Sequence, residues 1–202
     1  MKTQVVIIHG GDTFETREQY LSFLKSYQID FSRIAKSGWK NSLEERLGDN
    51  FEVISPKMPN KENARYIEWK IWFEKFFPLF NDEIIFIGHS LGGLFLVKYL
   101  SENSFPKKVK GIFLVGTPFD SADSEYTLVD FSLSNELNKL KEYNIYFYQS
   151  EDDPVVPAVD MEKYKKLLPM ANFILFEDRG HFGQEEFPEI VETIKSLARG
   201  KE

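Results

Sequence analysis

The chain has 202 residues, of which 42% are apolar and 15% aromatic with 19 Phe, so it can fill one compact core and lacks the low hydrophobicity of a disordered chain. Its 25 Lys and Arg stand against 32 Asp and Glu, and the net charge of -7 would repel a polyanion over most of the surface, which argues against nucleic acid as a partner. With no cysteine, disulfides, thiolate nucleophiles and thiolate metal sites are excluded.

The N-terminal Met1-Lys2-Thr3-Gln4 is followed by only four strongly apolar residues, too short a run for the core of a signal peptide, and nothing approaches the roughly 18 to 20 apolar residues of a membrane span. The expectation is a soluble, cytoplasmic chain forming a single domain over residues 1–202.

Short apolar runs alternate with segments of helical period, the pattern of a parallel sheet covered on both faces. The first strand, Val5 to Ile8, ends in a sharp turn, His9-Gly10-Gly11-Asp12. Thr16 then opens a helix with Gln19 in capping-box spacing, and Tyr20, Phe23, Leu24 and Tyr27 fall on one face. Trp39, Leu43 and Leu47 form a second stripe, stopped by Gly48. After the second strand, Phe51 to Ile54, residues Asn63 to Phe77 read as a helix that is unusually aromatic. It is expected to lie on the sheet with both flanks partly buried until Pro78 interrupts it.

The third strand, Ile84 to Ile87, runs into Gly88-His89-Ser90-Leu91-Gly92-Gly93 and then into a helix through Leu94 and Leu100. The fourth strand, Ile112 to Val115, is followed by a long connection from Gly116 to Asn144. Asn135 to Tyr143, after a Ser134 cap, supplies its crossover helix, and residues 118–133 remain as a small lid candidate over the strand ends. Ile145 to Tyr148 is the fifth strand and Phe173 to Phe176 the sixth. Pro188 suits a first helical position, with Ile190, Val191, Ile194 and Leu197 as the buried stripe and Arg199 to Glu202 as a solvated end.

The chemistry begins at Ser90. A serine hydroxyl is a weak nucleophile, and Gly-x-Ser-x-Gly between a strand and a helix is the string that lets a tight turn present it to a base. In a doubly wound sheet the ends of the first and third strands meet at the switch point, so the His9-Gly10-Gly11 turn should face Ser90. The N–H groups of Gly11 and Leu91 are then candidates for an oxyanion hole, with the Asp12 N–H as an alternative to Gly11.

Of the three histidines, His9 and His89 are embedded in the glycine turns and are assigned to shaping them. His181, in the loop Asp178-Arg179-Gly180-His181-Phe182-Gly183, is the candidate base. A site using all three histidines for a metal has no supporting ligand spacing, so no metal is assigned. The acid that orients the imidazole is sought in Glu151-Asp152-Asp153-Pro154, where Pro154 restricts its predecessor and favours Asp153 over Asp152.

With these residues in place the chain resembles the alpha/beta-hydrolase superfamily, and within it the small serine hydrolases related to retinoblastoma-binding protein 9 and its bacterial relatives. The shared landmarks are His9-Gly10, Met58-Pro59-Asn60 before Trp69, the Gly88-to-Gly93 elbow, Asp153-Pro154-Val155-Val156-Pro157 and Gly180-His181-Phe182. The resemblance implies an α/β fold with six parallel strands in the order 2-1-3-4-5-6, nucleophile Ser90, acid Asp153 and base His181. The segment from Gly11 to Asn50 exceeds the single crossover of such compact relatives.

The function expected is hydrolysis of a carboxylic ester or related acyl bond through an acyl-enzyme, with no cofactor. Its partner is a small acyl substrate bearing an apolar group, for which Phe14, Phe119, Tyr126 and Phe182 are candidate pocket walls. Thioester, amide or acyl-transfer chemistry would use the same groups. A rival of another class keeps the elbow but does not turn over, and binds a protein through the lid segment or the aromatic helix.

Overall fold

The computed structural model of the protein describes residues 2–29, 38–120, 127–134 and 137–199. Each apolar run forms the heart of a strand: β1 (Thr3–Ile8), β2 (Phe51–Ile54), β3 (Glu83–His89), β4 (Lys108–Val115), β5 (Ile145–Ser150) and β6 (Asn172–Phe176). They pair in parallel in the order β2-β1-β3-β4-β5-β6. Several strands outrun their apolar centres because polar flanks still pair, as Glu83 does with Lys108. The chain leaves β1 for β2 on one side and returns to β3 on the other, so the switch point lies between β1 and β3, where Ile8 pairs with Gly88.

Side chains of a strand alternate between its faces, and the core divides accordingly. Val6 and Ile8 point into one apolar layer, Val5 and Ile7 into the other. The first layer is closed by α3 (Tyr66–Glu74), α4 (Leu91–Glu102) and α5 (Val159–Leu167), the second by α2 (Trp39–Leu47) and α6 (Pro188–Arg199). In α2 the expected stripe Trp39, Leu43 and Leu47 is buried, and in α6 Ile190, Val191 and Ile194 are, with Leu197 partly so. Each such large side chain withdrawn from water contributes about 1.5 to 3 kcal/mol before entropy is charged.

Three elements depart from expectation. The aromatic helix is shorter than Asn63 to Phe77. Short three-ten turns at Lys61–Asn63 and Phe77–Leu79 flank α3, whose first N–H is accepted by the Asp130 carboxylate at 3.0 Å. It buries one flank only: Trp69 and Phe73 are inaccessible, whereas Ile67, Ile71 and Trp72 are exposed.

The crossover from β4 to β5 is a three-ten helix, Asn138–Glu142, flanked by Leu137 instead of a Ser134 cap. Residues 135–136 lie outside the described residues. Only Leu137 and Leu140 enter the core there, and a three-ten turn already aligns positions three apart.

The third departure is α1 (Arg17–Ser26). Its capping box forms as the sequence indicates, with Gln19 N–H donating to Thr16 Oγ1 and Thr16 N–H to Gln19 Oε1 at 3.2 and 3.1 Å. Yet it buries no side chain and packs in neither layer. It rests instead on Phe14, whose ring lies 5.0 Å from that of Phe23 and 5.6 Å from that of Tyr20. Among the described residues no helix is long and apolar enough to cross a membrane.

Candidate active site

Ser90 sits where β3 turns into α4, with φ 54 and ψ -127, a left-handed conformation that costs a residue with a Cβ about 1 to 3 kcal/mol. The strain is held by packing around the motif's glycines. A Cβ on Gly92 would lie 2.2 Å from the Ile8 carbonyl oxygen, and one on Gly88 2.4 Å from the Gly93 Cα. Ser90 N–H donates to the Val115 carbonyl at 2.8 Å, tying the elbow to β4. The first turn of β1 passes directly over it: a Cβ on Gly10 would meet the Ser90 Cβ at 3.0 Å.

Asp153 faces the imidazole of His181. Nδ1–H of His181 donates to Asp153 Oδ2 at 2.8 Å, with Oδ1 at 3.1 Å. The Asp153 side chain is fully buried, and Oδ1 also accepts the N–H groups of Val155 and Val156 at 2.8 and 3.0 Å. A carboxylate oxygen can only accept, so in the neutral imidazole the ring proton sits on Nδ1 and Nε2 carries the lone pair.

Asp152 is exposed and does different work. Its Oδ1 accepts Ser150 Oγ at 2.6 Å and the Gly180 N–H at 2.8 Å, bonds that hold its carboxyl below the usual range and tie down the base loop. Ser90 makes no hydrogen bond to His181; the two line the same cleft, and such contacts commonly tighten only with substrate bound.

His9 and His89 have both ring nitrogens engaged. His9 Nε2 accepts the Met58 N–H at 2.8 Å, so Nδ1–H donates to the Gly10 carbonyl at 2.7 Å and fixes the turn over Ser90. His89 Nε2–H donates to the His181 carbonyl at 3.0 Å, and Nδ1 accepts from the Lys40 ammonium at 3.2 Å. Burial holds the His89 imidazole well below its ordinary pKa, reinforced by the Lys40 charge, and burial lowers His9 as well. Lys40 itself is pushed down to about 8 by burial.

Beside it, Trp39 donates its indole N–H to the Phe182 carbonyl and its backbone N–H to the Gln184 carbonyl, each at 3.0 Å. The start of α2 thus braces the base loop. The sequence reading missed this role, because contacts spanning 49 and 143 residues leave no local signal.

Leu91 opens α4, where the first backbone N–H groups lack helical partners. Asp12 N–H is committed to the Lys61 carbonyl at 2.7 Å, whereas the Gly11 N–H makes no hydrogen bond among the described residues. The Asp12 N–H is thus committed elsewhere, while those of Gly11 and Leu91 have no partner among the described residues.

A cavity of about 670 Å3 opens from Ser90 beneath α1, walled by Phe14, Phe23, Leu91, Leu128 and Val156 among others. Of the aromatic wall candidates only Phe14 is there. Phe119 packs edge-on against Tyr164, and Phe182 is buried among Trp39, Phe176 and Phe187 in the second layer. Tyr126 lies outside the described residues, as does the rest of 121–126. Within the lid candidate, Pro118, Thr127 and Leu128 line the cavity while Leu128 and Phe131 are buried in the core. The element that overhangs Ser90 by its own exposed helix is α1. Among the described residues no group of three or more His, Asp or Glu is arranged to hold a metal ion.

Residues 31–197 match the family model described as serine hydrolase. The chain is 29% identical over 173 residues to serine hydrolase RBBP9 of Rattus norvegicus, covering 81% of this chain and 88% of that protein. Its fold is similar to the ydeN gene product of B. subtilis, with a TM-score of 0.72 and 20% identity over 98% of this chain and 100% of the other. A pyrethroid hydrolase from Sphingobium faniae JZ-2 shares the fold at a TM-score of 0.64 and 15% identity, covering 99% and 98%.

Proposed function

The chain belongs to the serine hydrolase family, and from that premise we propose that it cleaves a carboxylic ester or related acyl bond using Ser90 as nucleophile, His181 as base and Asp153 as the orienting acid. As Ser90 Oγ attacks the carbonyl carbon, His181 Nε2 takes its proton, and Asp153 stabilises the imidazolium. The N–H groups of Gly11 and Leu91 receive the oxyanion, a contribution of about 3 to 4 kcal/mol per donor in comparable sites. The imidazolium returns the proton to the leaving oxygen. Water, deprotonated in turn by Nε2, releases the acid and restores Ser90. These groups and water account for every proton and bond, so the cycle calls for no cofactor.

The observation that carries this reading is His181, bonded to the buried Asp153 carboxylate, opening onto the same cleft as a serine held at positive φ. The apolar walls of the cavity support a small substrate with an apolar acyl group, and Pro118, Thr127 and Leu128 form its lid-side edge. A series of p-nitrophenyl esters of increasing acyl length tests it: turnover that disappears in Ser90→Ala is the result expected. Equal rates in the two proteins would refute it.

A further inference from the structure

Ser90 stands at the junction of two cavities rather than in one. Both reach Gly11, Asp12, Phe23, Ser90 and Val155, and Phe23 of α1 hangs between them. The larger, about 670 Å3, runs beneath α1 along Phe14, Leu91 and Leu128 and does not reach His181. The smaller, about 440 Å3, contains His181 and is edged by Leu24, Tyr27, Lys61 and Glu62.

The chemistry decides which is which. In the tetrahedral intermediate the carbon carries Ser90 Oγ, the oxyanion, the acyl chain and the leaving oxygen. His181 must protonate that leaving oxygen as its bond to carbon breaks, so the alcohol lies in the cavity holding His181. The acyl chain is left with the other.

Charge narrows the class further. Among the described residues of the larger cavity the ionisable groups are Asp12 and Glu15, with no Lys or Arg, and the remaining walls are apolar or neutral. Asp12 is shared with the smaller cavity beside Ser90, so a carboxylate farther along an acyl chain would meet Glu15 as a like charge and no cation among the described residues. The smaller cavity adds the Lys61–Glu62 pair to the shared Asp12, which suits a polar alcohol.

We propose that the larger cavity is an acyl site selective for neutral, extended acyl groups, that the smaller one receives the alcohol, and that α1 sets both preferences. The inference rests on the hydrolase reading above. In bond terms, the C–O bond to the alcohol breaks as the bond to Ser90 Oγ forms. The serine proton leaves with the alcohol, and water later divides between the acid and the restored hydroxyl.

One helix supplies a matched test. Ser22 is an exposed residue of α1 on the acyl cavity only, and Leu24 an exposed one on the alcohol cavity only, so neither substitution disturbs the core. Ser22→Trp is expected to lower kcat/KM on octanoyl esters by about tenfold or more relative to acetyl esters, whether the alcohol is p-nitrophenol or methanol. Leu24→Trp should leave that acyl-length preference unchanged and penalise 2-naphthyl against methyl acetate. In the parent protein, p-nitrophenyl hexanoate should be turned over about tenfold or more faster than the ester whose acyl group has the same length and ends in a carboxylate, with the gap narrowed by Glu15→Lys.

The reverse pattern, a shift of the same preference by both Trp variants, no shift by either, or a preference for the carboxylate-ended acyl group would overturn the assignment. Failure of a fluorophosphonate to label Ser90 in the folded parent would instead overturn the hydrolase reading, and the assignment with it.

Discussion

His181 and α1 both face Ser90, yet they are held there by different means. The loop of His181 is fastened by five hydrogen bonds between residues 179 and 184: Arg179 N–H to Ser150, Gly180 N–H to Asp152, the His181 carbonyl to His89, and the carbonyls of Phe182 and Gln184 to Trp39. Helix α1 buries no side chain and touches the body through Phe14 and its neighbours. The loop 12–14 beneath it is pinned by Ala64 N–H to the Asp12 carbonyl, Arg65 to the Phe14 carbonyl and Thr13 to Thr127. The groups that must meet within tenths of an ångström are locked to the sheet, while the surface that chooses the substrate is attached at its foot. Selectivity can then change without disturbing the chemistry.

Substitutions on the two sides should separate sharply. On the locked side Asp153→Asn presents an amide where His181 Nδ1 needs an acceptor, and kcat should fall by about 10^4-fold with little change in KM. Asp152→Asn, which weakens the ties to the Ser150 hydroxyl and the Gly180 N–H without touching the imidazole, should cost about tenfold or less. Comparable losses in the two variants, measured by steady-state kinetics, would break the distinction between orienting acid and loop anchor.

Next in size is Trp39→Phe, which leaves the buried Phe182 carbonyl without its donor. Urea unfolding should show a loss of about 1 to 3 kcal/mol, and kcat should fall while KM stays near the parent value. An unchanged kcat would mean that the brace at the start of α2 does not position the base.

Stability should also depend on pH through the buried imidazoles. His89 and His9 are held below the ordinary value of 6.5 in the folded protein, so the unfolded chain takes up protons there that the folded chain refuses. Stability is therefore full above that value and falls as pH drops through it. Urea midpoints between pH 7.5 and 5 should decline, and the decline should be shallower in His89→Gln. A flat profile in the parent would contradict the buried neutral state.

The smallest effect belongs to the other side. Thr16→Ala removes the capping box of α1 at a cost of about 1 kcal/mol confined to that helix. Limited proteolysis within residues 17–26 should accelerate while the global melting temperature stays put. A matching fall in melting temperature would show α1 to be as integral as the sheet.

Much of the fold was legible because its signals are local. Short, mostly apolar runs of four residues bounded by turn residues mark the six strands, and Gly88-x-Ser90-x-Gly92 between a strand and a helix marks the elbow. Asp153 stands out through Pro154, and His181 through its loop after the last strand.

What escaped the reading depends on partners far along the chain. The stripe Tyr20, Phe23, Leu24 and Tyr27 has the period of a helix packed on a sheet, but periodicity reports a face and not what covers it. In the event Phe23, Leu24 and Tyr27 of that stripe line the cleft, and Tyr20 packs on Phe14. Phe182 beside the candidate base suits a pocket wall or a core position equally well, and the left-handed backbone at φ 55 turns it inward against Phe187. Lys40 carries no mark at all in the sequence; its contact with His89 exists only once β3 and α2 are brought together.

The claim that Ser90, His181 and Asp153 act as one unit is tested most directly by the intact mass of the folded protein after brief exposure to a fluorophosphonate. One adduct, mapped to Ser90 and formed at least about a hundredfold more slowly in His181→Gln and in Asp153→Asn, is the result predicted. Labelling at another residue, or at the parent rate in both variants, would contradict it.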